Sequence, residues 1–147
     1  MSKKIYKNEV AIITPEEMDE AFAGETRQYL MGDLKQEQKL PYIFSDECEM
    51  GISLYSEYTH DEPHYHDFIT ETNYIIEGKV VIRIVDTGED FLVEKGGIFS
   101  VPPHVTHVLK IQPGTKIIFT KTKVGNDKHV VEFDSLDLED WFADSDF

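Results

Sequence analysis

From Leu40 onward the chain is a succession of short strand-like runs, LPYIF, GISLYSEY, TNYIIEG, KVVIRIVD, EDFLVEK, GGIFSVP, THVLKIQ and TKIIFTKT. Turn signals separate them at SDE, HDEP, EGK, DTGED, EKGG, PPH and QPGT. Runs this short, with no long helical pattern between them, cannot build a parallel sheet with crossover helices. They predict an all-β antiparallel barrel or two-sheet jelly roll. The hairpin chemistry is local: DTGED supplies a glycine where a short loop needs positive φ, and QPGT has the Pro-Gly order of a type II turn. No repeat of fixed period and no low-complexity tract is present.

Ahead of the runs, Thr14, Pro15 and Glu17 predict a short helix through about Phe22. Thr14 serves as N-cap, Pro15 takes the first helical position and Glu17 closes a capping box. Gly24 and Gly32 interrupt the next stretch, and residues 24–38 carry no pattern that assigns them. Behind the runs, the chain after Lys128 holds Glu132, Asp134, Asp137, Glu139, Asp140, Asp144 and Asp146 without a Lys or Arg, interspersed with Leu136, Leu138, Trp141, Phe142 and Phe147. This tail either packs on the barrel as a terminal segment or short helix, or detaches to dock a partner or neighbouring subunit.

At 147 residues the chain has the size of one domain with one core. The expected division is a barrel over about 40–125, an N-terminal extension 1–39 and an acidic tail 126–147. A net charge of −15 repels phosphate backbones and anionic lipid, which argues against nucleic-acid and membrane partners. No run of 18 apolar residues occurs, and a cytoplasmic protein is expected. Cys48 is the only cysteine, so no internal disulfide can form and a thiolate site of the zinc-finger type is excluded, which leaves His and carboxylates as the expected metal ligands.

Such residues occur in EPHYHDFITETNYIIEG. Residues i and i+2 of an extended segment point to one side, so His64 and His66 can present imidazoles to one point. Glu71, an odd number of positions beyond His66, needs a bend to join them, and DFIT could supply it. A second histidine group lies in GGIFSVPPHVTHVL, where prolines stop a strand and His107 heads the next.

Together these segments resemble the two motifs of the cupin superfamily. His64, His66, Glu71 and Gly78 satisfy HxHx(3 or 4)Ex6G with the longer spacer, and Gly96, Pro102 and His107 satisfy the second motif. The resemblance runs from about residue 50 to 120. Three positions depart from it: Tyr58 and His104 stand where the family has turn glycines, and Ile111 where an Asn often follows. The resemblance implies a single-domain cupin jelly-roll β-barrel, with a short N-terminal helix and a short C-terminal segment or helix. It also implies one divalent metal ion per chain on His64, His66, Glu71 and His107. Three imidazoles and a carboxylate suit Fe, Mn, Ni, Co or Zn without choosing among them.

Asn73, two residues beyond Glu71, is expected to face the cavity as a substrate donor or as a partner of a ligand. Arg83, set between Ile82 and Ile84, must be paired or reach water, either by a salt bridge across a subunit contact or by anchoring a substrate carboxylate. His104 is expected at the surface or at the pocket mouth. The first expectation for function is an Fe(II) dioxygenase acting on a small oxygen-rich metabolite. The alternatives are a metal-dependent isomerase or epimerase of a sugar or sugar phosphate, a ligand-binding cupin without turnover, and a structural homodimer with an inherited, nonfunctional site. The motif stretches are poor in Lys and Arg, which disfavours a phosphosugar. Exposed sheet edges and apolar faces lead to the expectation of a homodimer.

Overall fold

The computed structural model describes residues 4–123, 125–132 and 137–147. Asp134 and Leu136 of the tail lie outside them. The elements in chain order are β1 (Ile5–Tyr6), α1 (Pro15–Phe22), β2 (Arg27–Gly32), β3 (Tyr42–Phe44), β4 (Glu49–Tyr55), β5 (Thr59–His60), β6 (His64–His66), β7 (Glu71–Glu77), β8 (Lys79–Ile84), β9 (Glu89–Glu94), β10 (Ile98–Val101), β11 (His107–Ile111), β12 (Thr115–Lys121), β13 (Lys128–Val130) and α2 (Asp137–Ala143).

The strands form two sheets. One runs β1-β3-β2-β4-β12-β7-β10 and the other β13-β6-β11-β8-β9, with β5 pairing β11. This is the expected all-β jelly roll, with its two short helices outside the sheets. Helix α1 begins as the sequence predicts: the Thr14 hydroxyl accepts from Glu17 N at 3.2 Å, and Thr14 N donates to Glu17 Oε2 at 3.2 Å. The span 24–38, which carried no readable pattern, contains β2, an antiparallel partner of β4.

Alternation decides which side chains meet between the sheets. Val80 and Ile82 of β8 and Leu109 and Ile111 of β11 join Ile75, Val101 and Ile117 in the central core. Val81 and Val108 point the other way and pack with Leu138 and Trp141 of α2. All five residues of β11 are buried because both of its faces are covered.

The tail therefore packs on the barrel. Lys110, buried on β11, donates from Nζ to the carbonyls of Trp141 at 2.8 Å and Asp144 at 2.7 Å. These carbonyls at the end of α2 lack helical partners, and a cation from another element satisfies them. Tyr58 donates its hydroxyl to the Phe142 carbonyl at 2.6 Å. The position where the family pattern has a turn glycine is thus a tether for the tail.

Gly78 closes the first motif and joins β7 to β8 at φ +81°, a region that disfavours every residue with a Cβ. A Cβ built there would also lie 2.6 Å from Thr115 Cα, which is backbone and has little room to yield. Gly78→Ala is expected to cost about 2–4 kcal/mol through the left-handed backbone and the overlap together. A urea melt with an unchanged slope and a lower midpoint checks it.

Candidate metal centre

His64 and His66 stand on β6 in the six-stranded sheet, whereas Glu71 opens β7 in the other. The chain crosses between the sheets over residues 67–70, and this is the bend that the odd spacing required. Asp127 pins it: its Oδ2 accepts from Phe68 N at 2.7 Å and Ile69 N at 3.0 Å. Its other oxygen lies 2.7 Å from His66 Nδ1. One carboxylate thus orients a histidine and shapes the turn that brings Glu71 across the cavity to face it. Asp127 belongs to no motif and lies 61 residues from His66, so nothing local in the sequence pointed to it.

The three imidazoles share a pattern. His64 Nδ1 lies 2.7 Å from the Glu62 carbonyl, His107 Nδ1 lies 2.9 Å from the Val105 carbonyl, and His66 Nδ1 faces Asp127. Each of these partners can only accept, so each Nδ1 carries the proton and each Nε2 is left with a lone pair. His66 Nε2 is buried and has no hydrogen-bond partner. It lies 3.3 Å from Glu71 Oε2 without the alignment a hydrogen bond needs. A buried lone pair beside a carboxylate oxygen is costly unless a cation lies between them, and this arrangement fits a metal ion.

Donor atoms of His64, His66 and Glu71 lie within 4.8 Å of one another. His107 is outside that tight group but packs against it. It is the cross-strand partner of His64, and its ring centroid is 4.3 Å from that of His64 and 6.4 Å from that of His66. Burial lowers the pKa of His107 and takes that of His64 to about 4, which keeps both neutral as ligands must be. The neighbouring Glu71 carboxylate, with Asp127, raises His66. Burial pushes the Glu71 carboxyl up, but His66, His107, Lys121 and His64 outweigh it and hold it at about 2.

His64, His66 and Glu71 open on a cavity of about 160 Å³, also lined by Asp61 and Asn73. Asp61 accepts from Leu109 N at 2.7 Å, and burial pushes its carboxyl up to about 7. Asn73 is buried and lines the cavity, the position its even spacing from Glu71 predicts. The other candidates lie elsewhere. Arg83 points to the outer face of β8, where its guanidinium forks onto Asp90 of β9 at 2.6 and 2.9 Å and lies 4.9 Å from the Trp141 ring. It does not reach the cavity, as a substrate anchor there would have to, because Val81 and Arg83 share the face that α2 covers. His104 is exposed with φ +68°, so the backbone keeps the glycine-type conformation although the residue is a histidine.

The scarcity of cations in the motif stretches does not carry over to the cavity. Arg27 of β2, Lys121 of β12 and Lys128 of β13 all line it. Three strands outside the histidine segments deliver them, and only the folded topology brings those strands together.

Asp127→Asn keeps the side-chain shape and removes the charge that His66 Nδ1–H faces. It is expected to weaken divalent-metal affinity about 10–100-fold, the usual effect of changing a partner that orients a ligand. Competition with a chromophoric chelator measures it.

A family model described as a cupin domain matches residues 55–119. KdgF from Halomonas sp. superposes with a TM-score of 0.51 at 18% identity, covering 56% of this chain and 74% of that one. An RmlC-like cupin from Shewanella frigidimarina gives 0.50 at 24% identity, over 57% and 73%. Pac13 from Streptomyces, a nucleoside dehydratase solved with uridine, gives 0.52 at 15%, over 62% and 73%. No curated protein matches the sequence. The matched segment, residues 55–119, spans the strands that carry His64, His66, Glu71 and His107, and over that segment the chain is a cupin domain.

Proposed function

We propose that this cupin binds one divalent metal through His64, His66, Glu71 and His107, and that it is an enzyme acting on a small oxygen-rich metabolite, with an Fe(II) dioxygenase as the first assignment. The observation that carries the reading is the unsatisfied Nε2 of buried His66, set beside Glu71, with the His64 ring next to it and the His107 ring beyond. A bound ion of this class would supply Lewis acidity and open positions for dioxygen or a chelating ligand.

The chain's own residues do the remaining work. Glu62, Asp127 and Val105 hold the three imidazoles in one tautomer. Ile111, Ile117 and Phe119 close the cavity wall and exclude water. Asn73 offers an amide to a ligand in the cavity, and Asp61, near neutrality in its titration, can hold or release a proton beside His64 at a separation of 3.9 Å. The volume limits the ligand: about 160 Å³ is well below the roughly 300–1,000 Å³ that holds drug-sized molecules. This favours a metabolite of a few carbons over a sugar phosphate.

Elemental analysis of chelator-free protein, followed by oxygen-electrode assays with small hydroxy acids and enols, tests the assignment. Oxygen uptake that depends on Fe(II) and is absent in His64→Ala is expected. Metal binding without turnover would point to a ligand-binding cupin. A homodimer belongs to the same reading. Tyr74 and Ile98, paired across β7 and β10, stay exposed together with Phe91 and Leu92 on the edge strand β9. Light scattering at the mass of a single chain would reject it.

A further inference from the structure

Arg27 lies in the N-terminal extension, outside the segment that matches the cupin domain, yet its side chain reaches the cavity. Its Nε donates to Ser53 Oγ at 2.9 Å, and its guanidinium carbon lies 4.7 Å from the centroid of Phe119. The hydroxyl-bearing rings of Tyr29 and Tyr55 are its neighbours. These contacts orient the guanidinium without neutralising it, and among the described residues no carboxylate forms an ion pair with it. An arginine keeps its charge at any working pH, so this is a standing positive charge at the cavity wall.

Lys121 stands nearby with a loose counterion, Glu49 Oε2 at 3.8 Å. Both cations also line a second, larger cavity of about 1040 Å³ bordered by β2, the loop after it and Gly125. Two residues shared by an inner and an outer cavity stand at their boundary. Arg27 is an exposed residue held by neutral groups, so its guanidinium is open to an anion that enters from the outer cavity.

We propose that Arg27 and Lys121 form an anion-selecting neck between the outer basin and the metal cavity. A short carboxylate is held there by the Arg27 fork, and its other end reaches toward His64, His66 and Glu71. This rests on the metal reading for the far end of the ligand only. The inner cavity equals roughly five waters' share of liquid volume, which fits an acid of about two to four carbons. The planar fork matches a carboxylate bidentately, which the point charge of a lysine cannot do. Arg27 is thus a specificity residue of this chain, contributed by strand β2 rather than by the motif strands.

The test is calorimetry with malonate and with its neutral diamide, on chelator-treated and on metal-loaded protein, with metal content measured on the same samples. Malonate is expected to bind at least about tenfold tighter than the diamide. Arg27→Gln is expected to weaken malonate about tenfold or more in both forms, the loss of a charge-assisted hydrogen-bonded pair, with metal content unchanged. Arg27→Lys, which keeps the charge and loses the fork, and Lys121→Gln should fall between wild type and Arg27→Gln. These two also keep the test alive if Arg27→Gln fails to fold. Arg27-dependent malonate binding in a protein that takes up no metal would sink the metal reading and uphold the neck. Malonate affinity within twofold of wild type in a folded Arg27→Gln protein, equal affinity for the diamide, or tighter binding of inorganic phosphate than of malonate would overturn the proposal.

Discussion

His66→Ala is expected to abolish metal loading: protein purified without chelator should carry about one ion per chain as wild type and only a trace as the variant. The loss should exceed the roughly 10–100-fold that changes outside the ligand set cost, because it removes a donor and not merely its orientation. Stability gives a second readout. A ligand that binds only the folded state adds about 2.7 kcal/mol at 100 times its Kd, so the metal should raise the wild-type melting point and leave the variant unmoved. An ordinary core histidine predicts the reverse, with no metal effect in either protein and a large destabilisation on substitution. Equal metal content in both proteins would sink the ligand assignment.

Trp141→Ala should have the largest effect on folding. Trp141 is 7% exposed and packs with Leu138 against Val81 and Val108. Its Nε1–H donates to Asp90 Oδ2 at 3.0 Å, and its ring lies 4.5 Å from Lys110 Nζ. Truncating a buried tryptophan costs about 3–5 kcal/mol, which for a chain of this size corresponds to a melting point lower by about 6–20 °C. Here the loss also uncovers Lys110, whose charge the ring and the α2 carbonyls share. Metal content should be unchanged, because the site lies between the sheets and Trp141 on the outer face of one. A shift of less than about 1 kcal/mol in a urea melt would show that the tail can leave the barrel, the alternative that its acidic composition left open.

His66 stands out in the sequence through its spacing from His64 and Glu71, whereas Trp141 does not. The Trp141 contact could not be read from the tail, whose acidic and aromatic residues fit packing and detachment equally well. What decides between them is on β11, where Lys110 interrupts an apolar strand at the position α2 covers. The same face explains Arg83. Its sequence context demanded a partner, and the cross-strand register supplied Asp90, the residue directly opposite.

The sequence by itself determined the strands β3, β4 and β7 to β12, the turns between them, the capped helix α1 and a set of histidines and a carboxylate spaced to ligate a metal. Each of these is a local property: period-two alternation, Pro and Gly at turn positions, a capping box, two histidines one residue apart. The tertiary structure alone decided which distant groups complete the site. Asp127 reaches His66 because β13 pairs with β6. Arg27 enters the cavity from β2, in the span whose two glycines hid any pattern, because β2 pairs with β4 and places it opposite Ser53. Such pairings are set by burial across two sheets, and each cation is brought in by a strand whose own sequence carries no mark of the cavity it lines.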